Sequence, residues 1–141
     1  MKWASATIWF GIAVHTLTGN AHAQDKVNLE RITSILRSRC IQHEQQAITA
    51  LESRVPTRDE MARWTEHCKN KAQLDAKVFA SSSAADRIQM LRDACTGAHP
   101  LFFALVKMGN PTPETRRVVA VNIYEACTKD VNAEYEQAMS R

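Results

Sequence analysis

Glycine is scarce in this 141-residue chain, aromatic residues are few, and no uninterrupted apolar run is long enough for a membrane span of about 20 residues. Of the four glycines, only Gly97 and Gly109 lie beyond residue 23, so no glycine-rich phosphate loop can be built. Aromatic residues make up 6%, and no basic stripe is interleaved with them, so the footprint of a nucleic-acid surface is missing. "HEQQA", which begins at His43, starts like a zinc-protease helix, yet Ala47 stands where the second histidine must be. No serine or cysteine nucleophile has a local signature around it. Acid pairs such as Asp59-Glu60 sit where first-turn carboxylates favour a helix dipole. No catalytic, cofactor-binding or metal-binding residue is therefore assigned, and the expectation is a non-enzymatic protein without a cofactor.

What is present begins with "MKWASATIWFGIAVHTLTGNAHA". Lys2, a mostly apolar run through Leu17, and Ala21-His22-Ala23 ahead of Gln24 have the layout of a secretory signal peptide over residues 1–23. Residues 24–141 are then expected to form a single domain with no membrane association once the leader is cleaved. That part is near neutral, with 17 Lys and Arg (18 less Lys2) against 15 Asp and Glu. Cys40, Cys68, Cys95 and Cys127 all lie within it, and an even count in an exported chain reads as two disulfides. The periplasm is the expected compartment, with secretion as second choice.

"ILRSRC" at 35–40 returns as "MLRDAC" at 90–95. The same shift superposes Leu36-Arg37 on Leu91-Arg92, Cys40 on Cys95, Leu51 on Val106 and Pro56-Thr57 on Pro111-Thr112. Each unit reads as helix, turn, helix. Ile32, Leu36, Cys40, His43, Ala47 and Leu51 form one stripe of a helix over residues 27–54, which Pro56 ends. Thr57 with Glu60 offers a capping box for a helix over 58–80, expected to bury Met61, Trp64, Cys68, Ala72 and Phe79. Ser83 and Asp86 can cap a third helix carrying Ile88, Leu91 and Cys95, which Pro100 must break. Gly109, Thr112 and Pro113 supply a stop, a cap and a first helical residue for a last helix over 113–138, with Val119, Ile123, Cys127, Val131 and Tyr135 along one side. The expectation is an all-α, four-helix up-down bundle of two disulfide-stapled hairpins, 27–80 and 84–138, with the third helix broken between Gly97 and Pro100.

Residues equidistant from a hairpin turn face each other. Cys40 and Cys68 stand 16 and 12 residues from Pro56, and Cys95 and Cys127 stand 16 each from Pro111, so the spacing predicts Cys40–Cys68 and Cys95–Cys127. The alternative, Cys40–Cys127 with Cys68–Cys95, would tie the hairpins together. Cys40, His43, His67 and Cys68 carry the letters of a metal site, but adjacent helical residues point about 100° apart. A disulfide with two nearby histidines is the expected arrangement.

Trp64, Phe79, Phe102, Phe103, Tyr124 and Tyr135 read as core. Phe102 and Phe103 are adjacent and cannot share a stripe, which points to a homodimer or partner contact. If the hairpins alternate up and down, both proline tips lie at one end and gather Arg54, Arg58, Lys107, Arg116 and Arg117. Arg58 and Arg116 fall near helix N-termini, where the dipole opposes them. Ser53, Arg54, Val55, Arg58, Asn110, Arg116 and Arg117 are therefore the candidate partner-binding residues.

Arg39-Cys40-Ile41, within "LRSRCIQ", together with the leader and the cysteine staples resembles the periplasmic immunity proteins that neutralise type VI secretion amidases. The resemblance implies a non-enzymatic inhibitor, often dimeric, that blocks a peptidoglycan amidase by inserting a loop into its cleft. Residues 53–57 and 110–113 would then be the plugs; the repeat and the second staple have no counterpart in that resemblance. Two other classes stand beside it. One is an exported carrier of an apolar ligand, similar in size and helicity to insect odorant-binding proteins but with its last two cysteines much further apart. The other is a small periplasmic acid-stress chaperone.

Overall fold

The computed structural model describes residues 26–141; the expected signal peptide lies outside the described residues. The described chain is all-helical, with five helices and two disulfides. Helix α1 spans Leu29–Ala47 and continues into one π-helical turn, Ile48–Glu52; α2 spans Arg58–Ser81, α3 Ala84–Ala98, α4 Pro100–Met108 and α5 Pro113–Met139.

Each helix start has a local chemical cause. Asn28, Thr57, Ser83 and Thr112 are extended residues whose side-chain oxygens accept from the backbone N–H three residues on, satisfying one of the donors that a helix start leaves unpaired. At Thr57 the box is complete, since the Glu60 carboxylate also accepts from the Thr57 N–H at 2.8 Å. His99 ends α3 and begins α4, accepting from the Leu101 N–H at 3.2 Å, with Pro100 at the first helical position. The break expected between Gly97 and Pro100 thus divides the third helix into α3 and α4.

The first helix departs from the expected 27–54. Regular α geometry stops at Ala47, and the π turn takes up an extra residue before Ser53, at φ +53°, turns the chain. That extra residue rotates the end of the turn off the core stripe, so Leu51, expected inside with Ala47, is 49% exposed. Met61 and Trp64 are likewise only half-buried.

The core joins Ile32 and Leu36 of α1, Ala72, Ala76 and Phe79 of α2, Leu91 and Cys95 of α3, and Ile123, Cys127 and Val131 of α5. Helix α1 packs against α2, α3 and α5 and only touches α4, whereas α2 leans on α1 and meets α3 only weakly. The disulfides join Cys40 to Cys68, between α1 and α2, and Cys95 to Cys127, between α3 and α5, the pairs that their similar distances from the turns predict.

Two arginines lock the packing. Buried Arg87 of α3 donates to the Phe79 and Ala80 carbonyls, both at 2.8 Å, and lies over the Phe79 ring, so one side chain satisfies the end of α2. Arg39 of α1 binds Glu134 of α5 at 2.7 Å and reaches Asp130 at 3.4 Å. Burial raises the Glu134 pKa above the ordinary carboxylate value in spite of the opposing Arg39 charge. The ends of the domain are joined as well, by Asn28 N–H to the Ala138 carbonyl at 2.7 Å and by Arg31 to the Ser140 hydroxyl.

Candidate contact surface at the hairpin tips

The two proline tips lie together. Helix α4 packs on the π turn that ends α1, and Lys107 Nζ donates to Ser53 Oγ at 3.3 Å, joining the second tip to the first. The chain reverses at Ser53, whose left-handed φ is uncommon for a residue other than glycine, and at Gly109, φ +75°, where glycine adopts it freely.

The cations assigned to this end do different things. Arg54 binds Glu52 at 2.6 Å and grips both oxygens of Glu60 at 2.7 and 2.8 Å. Hydrogen bonds from Arg54 first, and then from the Thr57 backbone, hold the Glu60 pKa down at about 2, and Arg54 is raised above its ordinary value by the same pairing. Arg54 therefore builds the tip. Arg117 pairs with Glu114 at 2.7 Å on the surface, an exposed pair of small energetic value. Arg116 donates to the Pro111 carbonyl at 3.1 Å and fixes the second tip. Arg58, Lys107 and Arg116 have no carboxylate partner among the described residues.

Around these cations lies exposed apolar surface. Val55 is 84% exposed and Met108 64%, with Leu51 and Val106 about half exposed. Leu51 and Val106 are equivalent positions of the repeat, so both hairpins present an apolar side chain just before the tip. Leu51, Val106 and Met108 are absent from the set read from the sequence; the repeat at 51 and 106 is the signal that could have located two of them. Ser53 and Asn110 are exposed, with the Asn110 N–H bonded to the Met108 carbonyl at 2.9 Å. No hydrogen bond carries Arg58, Arg116 or Arg117 across to the other tip.

Elsewhere, both sulfurs of the Cys40, His43, His67, Cys68 set are in the disulfide, with the two histidines nearby. Phe103 is buried against His43, with ring centroids 5.2 Å apart, while Phe102 stands at the surface, edge-on to Phe103. Tyr124, expected in the core, is exposed and carries Arg92 on its ring at 4.3 Å.

Comparison of the chain with protein-family models, with curated proteins and with solved structures yields no match. The fold and this surface define an all-α, doubly disulfide-bonded domain with an apolar and basic end. The two disulfides suit an oxidising environment, and among the described residues no helix is long and apolar enough to cross a membrane.

Proposed function

We propose that this protein is an exported, non-enzymatic binding domain that inhibits a cell-wall-degrading enzyme of the peptidoglycan amidase class by seating its hairpin tips in the enzyme's cleft. The observation that carries the reading is the joined tips: Val55 and Met108 project apolar side chains from one end of the molecule, beside Arg58, Lys107 and Arg116, which have no carboxylate partner among the described residues. An apolar centre with a charged rim is the pattern of a protein contact. The bidentate Arg54–Glu60 pair and the cap at Thr57 hold the first tip in one conformation, which lowers the ordering cost of docking. A periplasmic location after leader cleavage and an up-down arrangement of the two stapled hairpins belong to the same reading.

The test is digestion of purified peptidoglycan by extracts of competing bacteria, with and without the oxidised protein. The reading expects the release of new amino termini to fall as the protein is added. Release that is unchanged at saturating protein would overturn it.

A further inference from the structure

We infer that the groove between α2 and α3, floored by α1, binds a small cationic amphiphile: an apolar body bearing an ammonium group. This rests on a different part of the molecule from the tips and does not depend on the inhibitor reading.

The packing creates the groove. Because α2 leans on α1 and α3 is held by α5, the two meet only weakly, leaving an opening of about 460 Å³. That lies within the range of roughly 300–1,000 Å³ typical of small-molecule sites. Leu36, Ala72, Met90 and Ala94 give it an apolar lining, and the small side chains of Ala72 and Ala94 keep it open.

The charge around the groove specifies what would enter. Arg39 is neutralised by Glu134 and Asp130, neither of which lines it, and Lys71 is paired with Asp75 at 2.5 Å. Glu44 and Asp93 line the same groove with no cation among the described residues bound to either; Asp93 accepts only the Gln89 amide, at 2.7 Å. The site therefore has an excess of acid in a chain whose net charge is +3, so its sign is a local property. Apolar walls and surplus carboxylate favour an ammonium-bearing ligand and disfavour a fatty carboxylate.

Octylammonium, octanol and octanoate, titrated separately into isotope-labelled oxidised protein and followed by NMR, test this. The expected result is saturable shifts confined to His43, Met90, Ala94 and their neighbours, with octylammonium binding at least about tenfold tighter than octanoate. The double variant Glu44→Gln/Asp93→Asn, which changes two carboxylates without moving the core, should bring the two affinities together while leaving the circular dichroism unchanged. Equal affinity for octanoate in the native protein, shifts that do not saturate or that centre elsewhere, or a preference that survives in the double variant would overturn the assignment.

Discussion

Replacing Cys95 and Cys127 together by alanine removes a cross-link between residues 32 apart, and replacing Cys40 with Cys68 removes one between residues 28 apart. The loop-entropy relation gives about 3.7 and about 3.6 kcal/mol for these at 25 °C, so the unfolded chain hardly distinguishes the two staples. The folded surroundings do. Cys95 and Cys127 are 2% and 0% exposed, both inside the main core beside Leu91, Ile123 and Val131, whereas in the other pair Cys68 is equally buried but outside that core and Cys40 is only half-buried, at the edge of the α2–α3 groove. Truncation in the core leaves a space its neighbours only partly fill, adding about 1 kcal/mol. The expected losses are therefore about 4–5 kcal/mol for the Cys95–Cys127 pair and about 3–4 kcal/mol for Cys40–Cys68. Urea denaturation without reductant measures both, and the slope against urea should rise in each because an unlinked denatured chain exposes more surface. Losses in the reverse order, or both below about 1 kcal/mol, would refute the reasoning.

Further perturbations probe the locks and the tip. Arg87→Met removes two charged hydrogen bonds from the end of α2 and should cost about 2–3 kcal/mol by denaturation; Arg87→Lys should recover less than half, since an ammonium lacks the guanidinium fork. Arg39→Ala leaves Glu134 buried without its cation and should cost about 2–3 kcal/mol, somewhat under the range for fully buried pairs because both side chains retain some exposure. In that variant the Glu134 pKa is raised further, so stability should fall as pH rises through the interval above the ordinary carboxylate value, and adding Glu134→Gln should remove this dependence. Glu60 behaves oppositely: with its folded pKa near 2 against an ordinary 4.5, its contribution is complete above about 4.5 and disappears as pH falls toward 2. The protection of the Thr57 amide against exchange, taken relative to the intrinsic rate at each pH, should fall over that window, and Glu60→Gln should abolish the change.

Features set by short-range chemistry were legible in the residues. Thr57 with Glu60, Ser83 with Asp86, and Thr112 with Pro113 announce helix starts because each cap is complete within four residues. The disulfide pairing was legible because a hairpin converts distance from its turn into spatial level. The π turn was not: "ITALE" is compatible with an ordinary helix, and only the packing of α4 on it accompanies the extra residue that turns Leu51 outward. The residues alone place Arg54 among the tip cations and do not show its pairing with Glu60, which depends on how the chain turns at Ser53. Arg87 and His43 are tertiary facts: a surface-type residue buried against carbonyls of another helix, and an imidazole enclosed where α1 meets Phe103.

The measurement that bears most directly on the contact end is affinity capture from bacterial extracts with oxidised protein and with a Val55→Asp/Lys107→Glu variant as paired baits. Both substitutions fall on exposed side chains, so the two baits should unfold at similar urea concentrations. The expected result is one stoichiometric partner with peptidoglycan-hydrolysing activity on the native bait, lost from the variant. The same partner retained equally by both baits, or a broad set of clients on either, would contradict a docking surface at the tips.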